Sequence, residues 1–245
     1  MDNAVYVGVS RQMVLRREMD IIANNIANLD TTGFKVESLM QKTDPAEPAR
    51  TLGGPRPVKF VAADMVARDF GQGAMNKTGA PLDMAIEGEG FFQIQTPTGP
   101  CFTRDGRFTT DPGGRVVTQN GLPLLDDGGG EIVIDPEKGQ ISIGADGTMS
   151  QGDERIGKVG LYAFANQGAL EKAGDNTFRN SSNLQPQPAT AASLRQGYLE
   201  TSNVKPVLEI TRMVEVSRAY ESTAKMIDAE ADLSRRSVER LGRVQ

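Results

Sequence analysis

The sequence predicts an α+β protein in which long N- and C-terminal helices pack as a coiled-coil-like layer and a mostly antiparallel β domain fills the middle. Three observations predict it. Apolar residues step by three and four at both ends, short alternating runs lie between turn dipeptides in the middle, and the ends are neutral while the middle is acidic.

At the first end, Val5, Gly8, Gln12, Leu15, Met19, Ile22, Ile26 and Leu29 trace a heptad seam with one polar interruption, Gln12. No proline falls between Met1 and Phe34. Asn28, Asp30, Thr31, Thr32 and Gly33 then supply the short polar side chains and glycine that suit a helix end. The pattern predicts one helix over about 3–29.

The second end mirrors the first, with Ile210, Met213, Ser217, Tyr220, Ala224, Ile227, Ala231, Ser234, Val238 and Leu241 in the same steps. Ser202 and Asn203 can cap a helix, and Pro206 is tolerated in its first turn, where the missing N–H has no partner to lose. A helix over about 204–242 follows.

Between them, turn sequences separate candidate strands. Gly88-Glu89-Gly90 is flanked by Leu82–Ile86 and Phe91–Gln95, and Asp111-Pro112-Gly113-Gly114 by Phe108–Thr110 and Arg115–Thr118. Asp146-Gly147 is flanked by Ile141–Gly144 and Thr148–Ser150. Further strands are expected at Val58–Val61, Ile132–Ile134 and Lys158–Ala163. Lys42–Pro57 and Asn176–Ser193, rich in proline and small polar residues, read as connectors. The expected organisation is a helical domain from 1–35 and 199–245, connectors at 36–80 and 176–198, and a β domain at 81–175.

Residues 1–35 carry four basic and four acidic groups and residues 199–245 carry eight of each, so the net charge of −5 comes from the middle. Neutral, apolar-seamed ends can pack without repulsion. The scattered Lys and Arg lack the stripe of a nucleic-acid binder, and no apolar run is long enough to span a membrane. No cleavable signal pattern opens the chain. Glycine, at 27 of 245 residues, is enriched and Trp is absent, which favours a turn-rich interior over a large aromatic core. Cys101 has no partner for an intramolecular disulfide and is expected in a strand.

The chain has no histidine, which removes the commonest general base near neutral pH and the commonest zinc ligand together. The best remaining catalytic candidates, Asp126 with Asp127 and Asp146 with Asp153, lie in glycine-rich segments where carboxylates form turns. Gly88-Glu89-Gly90 does not extend to a dinucleotide fingerprint, and Gly128–Gly130 lacks the lysine of a phosphate loop. No catalytic, cofactor or metal site is expected.

Periodicity leaves two arrangements of the helices open: a pair lying on the β domain, or a separate layer that contacts the same layer of neighbouring subunits and builds an open tube. The run Ala23-Asn24-Asn25-Ile26-Ala27-Asn28-Leu29-Asp30-Thr31-Thr32-Gly33-Phe34-Lys35 bears on the choice, because it resembles the ANNxANxxTxGFK signature of flagellar basal-body rod proteins. Gly71-Gln72-Gly73, Thr78 through Phe92, Phe102-Thr103-Arg104-Asp105-Gly106-Arg107-Phe108, Asp146-Gly147-Thr148, Gly197 through Val204 and Met213 through Glu221 resemble further blocks of that family, in order. Phe102 stands where the family has tyrosine, and Thr223 where it often has asparagine. Met1-Asp2-Asn3-Ala4-Val5-Tyr6 and the chain length resemble the proximal-rod branch; Gly197–Val204 also resembles the distal-rod branch, which is the alternative.

The resemblance implies a structural subunit with no cofactor. It would be exported unfolded by the flagellar type III apparatus and assemble with itself and other rod proteins into a helical tube in the periplasmic part of the basal body, the terminal helices forming the inner layer. On that basis the residues expected at subunit-packing contacts are Leu15, Met19, Ile22, Asn24, Asn25, Ile26, Asn28, Leu29, Gly33, Phe34, Asn203, Val204, Ile210, Met213, Tyr220 and Ile227. Asn28 is also expected to help end its helix.

Overall fold

The computed structural model describes residues 2–44, 60–135, 137–181 and 185–242. Two helices carry the ends: α1 (Asp2–Ala27) and α2 (Pro206–Gly242), within a few residues of the bounds their sequences predict. The described residues between them form strands, turns and one short 3-10 helix (Gln167–Ala169), and the paired strands are antiparallel. The chain divides into two compact units: residues 1–27, 37–68 and 205–245, and residues 28–36 with 69–204.

The first unit holds α1, α2 and a hairpin of Glu37–Asp44 with Phe60–Arg68. The sequence places residues 36–80 in an extended connector, whereas 37–44 and 60–68 pair across eight register positions and lie against α1. Two features favour a hairpin there. Leu39 and Val66, a register pair, are both half-buried, and the Glu37 carboxylate meets Arg68 at 2.8 Å across the first register pair. The expected strand at Val58–Val61 overlaps its second arm, with Val58 and Lys59 outside the described residues, as is most of the Lys42–Pro57 connector.

The second unit contains a six-stranded sheet in the order Leu170–Gly174, Thr177–Asn180, Gly99–Thr103, Phe91–Thr96, Leu161–Ala163 and Gln187–Pro188. Beside it lie a three-stranded sheet (Glu154–Lys158, Thr148–Gln151, Ile141–Ile143) and two-stranded pairs of Met84–Glu87 with Ser193–Gln196, Met75–Lys77 with Tyr198–Glu200, and Phe108–Thr110 with Val116–Thr118. The turns expected at Asp111–Gly114 and Asp146-Gly147 join paired strands. Gly88-Glu89-Gly90 does not: Met84–Glu87 pairs with Ser193–Gln196 and Phe91–Thr96 with Gly99–Thr103. The reason is local. The Gly88 carbonyl accepts from Arg104 and its N–H donates to Gln72, so the chain bends around a buried guanidinium. Asn176–Ser193 is likewise not a plain connector, because Thr177 and Phe178 are buried and pair with Thr103 and Phe102.

Along Phe91–Thr96 the pleat divides the interior in two. Phe92 and Ile94 enter an aliphatic core with Met84, Val116, Leu124 and Met149, and Cys101 is packed there too. Phe91 faces an aromatic cluster with Phe102, Phe164, Phe178 and Phe70, whose rings meet edge to face at 4.8–6.1 Å. The low aromatic content argued against such a core. Five of the nine phenylalanines are concentrated here instead of spread along the chain.

Candidate functional site

The helical unit is the candidate site, and its seam is an antiparallel one. Leu15, Ile22 and Val216 are buried in it, with Met19, Ile26, Met213, Ala219 and Tyr220 packed around them. Near the start of α1, Gly8 lies so close to Ile227 that an added Cβ would stand 2.9 Å from its Cγ1. Midway, the Ser217 hydroxyl reaches the Met19 sulfur at 3.7 Å, and at the far end Asn25 meets Glu209. Rising numbers on α1 thus meet falling numbers on α2. The expected intramolecular pairing of the ends is what forms.

Asn25 is 1% exposed and every polar atom of its amide is used. Its Nδ2 donates to the Glu37 carbonyl at 2.8 Å and its Oδ1 accepts the Glu37 N–H at 3.0 Å, so the side chain copies a strand edge for the hairpin. The same Nδ2 donates to Glu209 Oε2 at 2.9 Å, and Arg212 holds the other oxygen, Oε1, at 3.2 Å. One asparagine therefore ties α1, α2 and the hairpin together. A buried carboxylate is tolerable here because both of its oxygens have donors.

Glu209 also sets the register of α2. Its inward face runs Glu209, Met213, Val216, Tyr220, Thr223, Ile227, with Ser217 half-buried beside it, and omits Ile210, which the apolar pattern includes. Ile210 is 54% exposed as a result. Thr223 is buried and satisfies its hydroxyl on the Ala219 carbonyl, one turn back. Outside the seam, Tyr6, Val9 and Met13 form an exposed row on α1, and Val207, Ile210 and Val214 another on α2.

The other signature residues belong to the β unit. Lys35 and Arg104 both bind the Glu200 carboxylate, at 2.6 and 3.1 Å, and all three side chains are essentially inaccessible. Glu200 also accepts the Gly73 N–H, Lys35 donates to the Gly71 carbonyl, and Arg104 to those of Ile86 and Gly88. Burial draws the Lys35 ammonium and the Arg104 guanidinium below their ordinary pKa values, against the pull of Glu200. Asn203 completes the arrangement. Its side chain accepts the Val36 N–H and donates to the carbonyls of Asp69 and Gly71, while its backbone N–H reaches Phe34 O.

Among the expected contact residues, Leu15, Met19, Ile22, Ile26, Met213, Tyr220 and Ile227 thus lie in or beside the internal seam, and Asn25 is internal. Asn24 is exposed on α1, and Leu29 is half-buried. Asn28 is half-buried and accepts the Thr31 hydroxyl at 3.0 Å, which fits a helix-end role. Gly33, Phe34 and Val204 are buried in the β unit, with Lys172 over the Phe34 ring. Sequence reasoning missed Glu209, Lys35, Arg104 and Glu200. Lys35, Arg104 and Glu200 each lie inside a motif block, but nothing in the local pattern marks them as buried, and Glu209 lies between two blocks. The turn carboxylates behave as expected, with Asp126 accepting the Gly128 and Gly130 N–H groups and Asp146 both donors of Thr148.

The model of the flagella basal body rod protein family matches residues 5–35, that of the flagellar hook protein FlgE/F/G D1 domain residues 85–151, and that of the flagellar basal body rod FlgEFG protein C-terminal region residues 195–240. The flagellar basal-body rod protein FlgF of Caulobacter vibrioides is 58% identical over 244 residues, covering all of both chains. That of Mesorhizobium japonicum is 36% identical over 99% of each chain, and the FlgG of Bacillus subtilis is 32% identical over 91% of this chain and 93% of its own. The three matched segments contain the seam, part of the β core and the Lys35–Glu200–Arg104 triad, and the 58% identity extends over the whole chain: this chain belongs to the flagellar basal-body rod protein family.

Proposed function

We propose that this protein is a structural subunit of the proximal rod of the bacterial flagellar basal body, a non-enzymatic part of the shaft that transmits torque. It assembles with copies of itself and with other rod proteins through its terminal helices, in the periplasmic stretch of the basal body. The 58% full-length identity to the Caulobacter FlgF favours the proximal position over the distal one, since the FlgG of Bacillus subtilis matches at 32% over 91% of this chain and that of Buchnera aphidicola at 36% over 86%. Export by the flagellar type III apparatus belongs to the same reading.

The observation that carries the assembly role is the pair of apolar rows left outside the internal seam, Tyr6–Val9–Met13 and Val207–Ile210–Val214, with exposures from 40% to 79%. Water-facing apolar rows on helices whose other face is already packed are surfaces for a neighbour. The α1 and α2 seam residues then act at one remove, by holding those rows in place. Two measurements test this: imaging of intact basal bodies with the chain labelled, and incorporation of Val214→Asp. A label outside the rod, or normal incorporation of Val214→Asp, would overturn the reading.

A further inference from the structure

Glu200 is the one carboxylate that pairs with the two buried cations of the β unit among the described residues. Lys35 comes from the segment after α1, Arg104 from the end of a strand in the main sheet, and Glu200 from the last strand before α2. Asp69 and Glu89 act on Lys35 and Arg104 only from exposed positions. Arg104 Nε finds no acceptor among the described residues, so its charge is met by Glu200, two carbonyls and the face of the Phe91 ring. Two cations and one anion leave a net positive charge inside even when the triad is complete.

We propose that this triad is a folding checkpoint, making closure of the β unit conditional on arrival of the C-terminal segment that carries Glu200. Until then, closing the core would bury Lys35 and Arg104 with no counter-charge, a cost large against the stability of a domain. A chain is made from its N-terminus, and domains generally fold as they become complete. Nearly all of the apolar core precedes residue 195, so hydrophobic burial alone would let the unit close early. The triad withholds closure until Glu200, at position 200 of 245, is present. Such a delay suits a chain that is exported unfolded, though it depends only on the chain's own folding.

The test uses the full-length, unassembled chain and amide hydrogen exchange at core residues of the β unit, Phe92, Cys101 and Val116. Glu200→Gln keeps the shape and removes the charge, and should lower protection there on the order of 100- to 1,000-fold, leaving the mid-helix amides of α1 and α2 less affected. In the triple variant Lys35→Met/Arg104→Met/Glu200→Met, which has no charge to compensate, protection should return to within about tenfold of the original. Unchanged protection in Glu200→Gln overturns the proposal. So does a triple variant no better than Glu200→Gln, since the loss would then come from missing hydrogen bonds. Neither result touches the assembly reading, which is scored in basal bodies.

Discussion

The amide of Asn25 donates to the Glu209 carboxylate at 2.9 Å, joining the last turn of α1 to the first turn of α2 across 184 residues of sequence. The same amide makes one donor and one acceptor bond to the backbone of Glu37, which orients it toward Glu209. Asn25→Asp would place two carboxylates in contact and remove the donor to the Glu37 carbonyl. It should destabilise the helical unit by roughly 3 kcal/mol or more, seen as faster hydrogen exchange throughout α1. Adding Glu209→Gln, which returns a donor to the pair, should recover part of the loss. No recovery would mean that the hairpin contact alone matters.

The β unit includes residues 28–36 and extends through Val204, whereas sequence texture assigns residues 1–35 and 199–245 to the helical domain. Lys35 is a trypsin site by chemistry but is 2% exposed and bonded at its ammonium to Glu200 and Gly71. Limited trypsin digestion should therefore spare the bond after Lys35 while cutting at exposed arginines of α2. Mass spectrometry of the early fragments checks this, and prompt cleavage after Lys35 would contradict the placement of the segment.

These two cases show what was legible in the sequence and what was not. The helices were legible because a 3.6-residue repeat records which face is apolar, and the turn at Asp111–Gly114 because its residue types dictate backbone geometry. The first turn of α2 was not: Ile210 is the better apolar residue, but Glu209 has a buried donor waiting on another helix. The triad was hidden for the same reason. Whether a lysine or arginine is solvated or buried depends on a partner far along the chain, 165 residues away for Lys35 and Glu200, and local pattern carries no trace of it.

Gly33 combines two demands that can be separated. Its φ is +67°, and an added Cβ would collide with the backbone carbonyl of Arg104. Gly121 has a similar φ of +77° and nothing within 4 Å of that position. Asparagine tolerates the left-handed region, so Gly121→Asn should cost under about 1 kcal/mol. Gly33→Asn keeps the collision and should cost roughly 3 kcal/mol or more, read from denaturant unfolding of the β unit. Equal costs would show that conformation, not crowding, selects this glycine.

Asp146 is held below the usual carboxylate range, first by the Thr148 hydroxyl and then by the Thr148 N–H. A carboxyl depressed in the folded state contributes stability above its unfolded pKa and loses it as pH falls through the folded value. Thr148→Val removes the hydroxyl and keeps the amide donor. The Asp146 titration, followed by carboxyl-carbon NMR, should move up toward the ordinary value and stop short of it. A midpoint that does not move would assign the depression to the backbone alone.

The last prediction separates the two faces of the terminal helices. Ile22 is 4% exposed within the seam, so Ile22→Asp buries an unpaired charge and should cost about 3–5 kcal/mol, opening the helical unit in the free chain. Ile210 faces water on the outer row, so Ile210→Asp should leave the free chain within about 0.5 kcal/mol of the original. Both should fail to enter basal bodies, for different reasons: the first lacks an ordered surface, and the second presents a charge where a neighbour requires an apolar side chain. Circular dichroism of the free chains and incorporation in cells therefore have to be read together. If Ile210→Asp assembles normally while Ile22→Asp does not, the outer row is not a subunit contact and the internal seam alone accounts for the apolar pattern of α2.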